Sequence, residues 1–179
     1  VQDLGRPGHR ASGVPLGGAF DRSSHELANA LVGNPPNAAT IEFTLFGGTF
    51  RAEISLAVAL AGAPMSACRR RFEGGEDHLT PPCALGLDPG DLLELGGTSS
   101  GVRTYLAVRG GWQCPLVLGS RSTEHPLQAG DVLLARASSS LMSRLDPTLI
   151  PPIDLGTPMR LVEGPDSVWL NDPEWDHRR

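Results

Sequence analysis

The segment from Ile54 to Ala61 limits the possible folds more than any other. Large apolar side chains (Ile54, Leu56, Val58, Leu60) occupy its even positions, and small ones (Ala57, Ala59, Ala61) its odd positions. Side chains of a strand alternate between faces, so this one is apolar on both sides, bulky on one and shallow on the other. Such a strand belongs inside a barrel or sandwich rather than on a half-solvated sheet. Composition agrees: 22 glycines and 16 prolines with 5% aromatics suit many short strands joined by turns and do not suit a helical bundle.

Period-2 patterns continue on either side. Ile41, Phe43 and Leu45 alternate with Glu42 and Thr44, and Gly47-Gly48 reads as a two-residue hairpin turn returning into Thr49 to Glu53. Cys68 to Phe72 reads as a strand turned by Gly74-Gly75, with Arg69 and Arg71 on a solvated face. From Val102 to Arg109 the residues Val102, Thr104, Leu106 and Val108 share one face, which predicts a half-buried strand ended by Gly110-Gly111. Asp88 to Leu93 and Gln128 to Leu133 repeat one unit, a Gly-Asp turn feeding an apolar strand. The one principal helix spans Ser23 to Val32. Ser23 and Glu26 form a capping box, Gly33 closes the end, and Pro35-Pro36 forbids continuation.

Several classes of chemistry are excluded by residue type. Every cation other than histidine is arginine, so there is no P-loop lysine, no Schiff-base lysine and no lysine to carry biotin. The net charge of −5 offers no footprint for nucleic acid. No apolar run approaches the length of a membrane span, and no signal peptide is visible, which predicts a cytoplasmic protein. Cys68, Cys83 and Cys114 make neither a CxxC pair nor a disulfide framework and read as reduced, mostly buried thiols. The five histidines lack metal-ligand spacing, so no metal is expected. Gly97 to Gly101 matches GxSxG, but a strand follows it where a nucleophile elbow needs a helix.

The candidate site residues fall into two groups. Gly119-Ser120-Arg121-Ser122-Thr123 places a guanidinium among three hydroxyls, which suits a carboxylate or phosphate, although a solvated turn would look the same. Asp3, Asp21 and Glu42 are the candidate acid–base or orienting carboxylates, with a cap or an edge-strand charge as the plainer alternative. Asp3 and Asp21 flank a glycine-rich coil that also holds Gln2, Arg6, His9 and Arg10.

Read together, Val1-Gln2-Asp3-Leu4-Gly5-Arg6-Pro7-Gly8, Gly13-Val14-Pro15 and Gly18-Ala19-Phe20-Asp21 resemble the opening of one family. It is the family called KipA, allophanate hydrolase subunit 2 or the C subunit of 5-oxoprolinase. The likeness runs on through Leu27 to Pro35, Ile41-Glu42, Tyr105 to Val108 with Gly110-Gly111, and Gly119 to Thr123, with Phe20 replacing a methionine. The resemblance implies a mainly-β, cyclophilin-like barrel shared with the carboxyltransferase part of urea carboxylase. It implies that a KipI-like B subunit is the partner, with a further A subunit, in a complex that uses ATP to open 5-oxoproline to glutamate. Arg6, Asn29, Asn34, Ser120, Arg121, Ser122 and Thr123 would then contact a small amide or lactam substrate. Two other roles share these motifs: a KipA-like regulator binding a KipI-type kinase inhibitor, and a carboxyltransferase lobe served by biotin on another chain. The family's later half has no counterpart here, and Met159 to Trp169 resembles its start. The expected organisation is therefore a cyclophilin-like lobe over residues 1–136, a Pro/Ser-rich linker over 137–158, and the start of a truncated second lobe over 159–179, inactive in isolation. Trp169 and Trp175 would be left exposed.

Overall fold

Leu56–Gly62 is buried along its whole length, as its two-faced pattern requires. In the computed structural model, which describes residues 1–138, it is the third of eight strands. These are β1 Ile41–Thr44, β2 Thr49–Arg51, β3 Leu56–Gly62, β4 Met65–Arg70, β5 Glu76–Leu79, β6 Cys83–Leu87, β7 Leu92–Thr98 and β8 Arg103–Val108. One α-helix, α1 (Arg22–Leu31), and a 3₁₀ turn at Arg10–Ser12 precede them. The chain divides into two units, Val1–Leu145 and Asp146–Arg179, and the described residues all lie in the first. The expected linker beyond Ser138, the second-lobe segment and both late tryptophans lie outside the described residues.

The strands form two antiparallel four-stranded sheets, ordered β1-β8-β3-β6 and β2-β7-β4-β5. Bulky residues from both sheets (Val58, Leu60, Leu106 and Val108 with Met65, Leu93 and Leu95) meet in one core. The shallow face of β3 does something else. Ala59 and Ala61, with Tyr105 and Ala107 of β8, pack against Ala28 and Leu31 of α1. Alanines let the helix approach closely, so the large/small alternation encodes sheet-on-sheet packing on one side and helix-on-sheet packing on the other.

The structure corrects several expectations. First, β8 is buried on both faces from Thr104 to Val108, because it lies between β1 and β3 and α1 covers its outer side. Second, Gly47-Gly48 is no hairpin: β1 pairs with β8 while β2 pairs with β7, so the chain crosses between sheets there. Third, Asp21 rather than Ser23 caps α1, accepting from the Ser24 amide at 3.1 Å and the Ser24 hydroxyl at 2.5 Å. Fourth, Arg69 and Arg71 both hold Asp77 rather than facing solvent freely. The repeated Gly-Asp units share a turn, in which the aspartate side chain accepts from the first residue's amide. Only the first feeds a strand. Buried Asp91 also takes the Phe72 amide and so ties β7 to β4, whereas Asp131 is exposed and Val132-Leu133 joins no ladder. The cysteines are free but half-buried, less enclosed than expected. No helix among the described residues is long and apolar enough to cross a membrane.

Candidate functional site

The glycine-rich coil is an ordered part of the fold. Arg6 N–H donates to the Leu16 carbonyl and Ala19 N–H to the Asp3 carbonyl, each at 2.8 Å, which lays 3–6 against 16–19. Gly5 and Gly18 permit it: a Cβ on Gly5 would sit 2.4 Å from Leu16 O, and one on Gly18 2.7 Å from Gly5 N. This coil carries Asp3 to the loop after β8. The buried Asp3 carboxylate accepts from the Gly5 amide at 2.8 Å, the Ser120 hydroxyl at 2.6 Å, the Arg121 amide at 2.6 Å and the Ser122 hydroxyl at 2.7 Å. Burial pushes the Asp3 pKa up. The Ser120 hydroxyl, Arg121 amide, Ser122 hydroxyl and Gly5 amide outweigh it and hold the carboxyl below its ordinary range.

The anion bound by the Gly119–Thr123 loop is therefore the chain's own. Ser120 and Ser122 spend their hydroxyls inward on Asp3, and the Arg121 guanidinium donates to the Cys114 carbonyl. This corrects the reading of the three as an open anion cradle. A carboxylate saturated by donors, with a depressed pKa, is also a poor proton carrier, so the geometry makes Asp3 a fastener rather than an acid or base.

Asp21 and Glu42 come together through a residue that the sequence reading did not single out, Tyr105. Its hydroxyl donates to Glu42 Oε2 at 2.7 Å and accepts from the Asp21 amide at 2.7 Å, while the Phe20 amide reaches the same Glu42 oxygen at 2.9 Å. Burial, followed by the contact with Glu42, pushes the Tyr105 pKa well up, so the phenol stays protonated as a donor. Arg103 Nε lies 3.4 Å from Glu42 Oε1, and its guanidinium stacks 5.0 Å from the Phe20 ring centre. Asp21 uses its side chain as the α1 cap and its backbone on Tyr105. The signal for Tyr105 was available: it is the chain's single tyrosine, opposite Glu42 in register, and a buried phenol needs a polar partner.

Asn29 and Asn34 brace the scaffold. Asn29, fully buried, donates to the Ala38 carbonyl at 2.8 Å; Asn34 donates to Asn29 Oδ1 and to the Val108 carbonyl and accepts from the Gly110 amide at 2.7 Å. Their substrate-contact reading gives way to this role, since the amides are spent within the protein. Buried His25 belongs to the same layer. Its Nε2 lies 2.9 Å from the Pro36 carbonyl, which can only accept, so Nε2 carries the proton and Nδ1 takes the Thr40 hydroxyl at 2.8 Å. Thr40 pairs with Gln2 through both backbone bonds at 2.8 Å, which anchors the segment bearing Asp3.

Beside this scaffold runs a cleft of about 620 Å³. One wall is β1 and the crossing to β2, with Glu42, Thr44, Phe46 and Thr49; Gln2 and Thr123, His125 and Gln128 face it. Of the residues named from sequence, Glu42 and Thr123 line this cleft. Asp3, Arg6, Asp21, Asn29, Asn34, Ser120, Arg121 and Ser122 do not. No group of three or more His, Cys, Asp or Glu gathers to hold a metal among the described residues.

Comparison with known proteins places this arrangement. Residues 12–177 match the family model for the carboxyltransferase domain, subdomains A and B. The chain belongs to the carboxyltransferase-domain family. It is 40% identical over 124 residues to the C subunit of 5-oxoprolinase from Escherichia coli, covering 69% of this chain and 38% of that protein. It is 36% identical over 170 residues to urea amidolyase of Lachancea kluyveri, covering 87% of this chain and 9% of that one. The solved Kluyveromyces lactis urea carboxylase superposes with a TM-score of 0.68 at 33% identity, over 74% of this chain and 12% of that one. The crystal structure of TTHA0988 gives the same TM-score at 34% identity, over 79% and 52%. The chain thus spans less than half the length of these curated relatives, and its mainly-β fold is the cyclophilin-like one of carboxyltransferase domains. Within this carboxyltransferase lobe, the two motifs most distant in sequence, Gln2 to Arg6 and Ser120 to Thr123, are two sides of one contact.

Proposed function

We propose that this chain supplies the first lobe of the C subunit of a 5-oxoprolinase, one component of a complex that opens 5-oxoproline to glutamate with ATP. The observation that carries the reading is the 40% identity to the Escherichia coli 5-oxoprolinase component over 124 residues. The cleft supports it, since about 620 Å³ suits a small amide or lactam and far exceeds what a single ion needs. Thr123, His125, Gln128 and Thr49 supply its hydrogen-bonding groups. Glu42, held at one oxygen by Tyr105 and the Phe20 amide, fixes the wall that β1 presents. ATP is consumed by the assembled complex, with a KipI-like B subunit and an A subunit in the cytoplasm. These 179 residues hold no lysine for a phosphate loop and none to carry biotin, so neither chemistry is supplied by this stretch of chain.

A second reading has its own support. Likeness to urea amidolyase extends over 170 residues, more of the chain than the likeness to the 5-oxoprolinase component covers. In that reading the lobe is a carboxyltransferase receiving biotin from another chain. The deciding assay uses the full-length parent. Mixed with the other two 5-oxoprolinase components, it should hydrolyse ATP only when 5-oxoproline is present. ATP use that responds instead to urea, and only with a biotin carboxylase added, would replace the first reading with the second.

A further inference from the structure

Arg6 is a buried charge that the fold leaves unanswered. It is 9% exposed, its Nη2 donates to the neutral Ser122 carbonyl at 2.6 Å, and its Nε is buried without a hydrogen-bond partner. No ion pair among the described residues includes it. Asp3 lies nearby in sequence, but its carboxylate is taken up by Gly5, Ser120, Arg121 and Ser122. A guanidinium taken from water normally needs an opposite charge to offset its lost hydration. There is also room to reach it. Gly17 is exposed, and a Cβ built there would meet one group within 4 Å, Arg6 Nη1 at 3.8 Å.

We propose that Arg6 is the receptor for a carboxylate, which enters beside Gly17 and pairs with the guanidinium edge left free by Ser122. The site is distinct from the cleft, whose lining includes neither Arg6 nor Gly17. The ligand class follows from charge. With Asp3 held by its own donors, one guanidinium answers a single negative charge, and a phosphate dianion would need a second cation that no contact supplies. The inference rests on the 5-oxoprolinase reading only for one probe, 5-oxoproline, which carries a carboxylate beside its lactam.

The test titrates acetate, 5-oxoproline and inorganic phosphate into the 179-residue chain and its Arg6→Met and Arg6→Lys variants, by calorimetry and thermal melting. Both carboxylates should bind the unaltered chain and raise its Tm, with phosphate weaker. Arg6→Met should weaken acetate binding by at least about tenfold, because the charge-assisted pair is gone, whereas 5-oxoproline seated in the cleft would still bind. The ligand-free Tm should hold or rise, because an unpaired buried charge has been replaced by an apolar group. A marked fall in ligand-free Tm, with no carboxylate binding to the unaltered chain, would make Arg6 a fastener and overturn the site. Phosphate binding as tight as acetate would overturn the ligand class. Acetate binding without 5-oxoproline binding would uphold the Arg6 site and count against the 5-oxoprolinase reading alone. Should Arg6→Met not fold, Arg6→Lys decides. A lysine cannot reproduce the fork, so acetate binding at least about tenfold weaker upholds the site and unchanged acetate binding overturns it.

Discussion

Asp3 and His25 are both buried titratable groups, and their pKa values shift in the same direction for opposite reasons. Donors from Ser120, Arg121, Ser122 and Gly5 hold Asp3 down against burial, so its ionised form is favoured in the folded state. Its stabilisation is therefore full above the unfolded aspartate value near 3.8 and is lost as pH falls through the lower folded pKa. For His25 burial itself lowers the pKa, against the Pro36 carbonyl and the charges of Asp3, Glu26 and Glu42, so the neutral ring is favoured. The unfolded chain then binds more protons, and stability should fall as pH drops below about 6.5 toward the lowered folded value. Urea denaturation at pH 7.5 and pH 5.5 would measure this, and His25→Gln should flatten the difference. Asp3→Ala should cost on the order of 3 kcal/mol, because it strands several buried donors at once. A loss under about 1 kcal/mol would mean that the clasp is dispensable.

At the scale of elements, what the sequence made legible depended on whether the information was local. The alternation in β3 announced burial on both faces, since pleat and side-chain size are local facts. The end of α1 at Gly33, with φ +72, was equally local. Gly47-Gly48 misled because turn residues report that the chain bends, not which strand it then meets; the partner of β2 is β7, more than 40 residues on. The loop at Ser120–Ser122 misled for a related reason. Hydroxyls and a guanidinium advertise an anion, and nothing nearby shows that the anion is Asp3. Two substitutions test the two faces of β3. Leu60→Ala should cost about 2–5 kcal/mol through a cavity between the sheets. Ala59→Leu should cost about 1–3 kcal/mol by forcing α1 off the sheet. Denaturation midpoints would read both, and a neutral Ala59→Leu would show that the helix is not seated on the alanines.

Across the whole molecule, stability should be graded. β3 and β8 lie inside a sheet with α1 over one face and the shared core under the other, whereas β5 and β6 are sheet edges. Backbone amides of Val58 to Leu60 and Leu106 to Val108 should exchange slowest with deuterium, and those of β5 among the fastest of the strands. Comparable protection in β5 would place a cover on that edge. The cleft lies outside the most protected region, between β1 and the loop after Thr123, where small adjustments to a ligand disturb little of the core.

The contact between Asp3 and Ser120–Ser122 also sets an order of events during synthesis. The coil at the start of the lobe emerges first, yet the donors its carboxylate needs are made 117 residues later. Until they appear, Asp3 stays hydrated and the coil has little reason to settle against the barrel. Nascent chains halted just before Ser120 should thus be cut by trypsin at Arg10, the first arginine not followed by proline. Chains a few residues past Thr123, clear of the ribosome, should resist. A late turn of the lobe is in this sense the latch for its first coil.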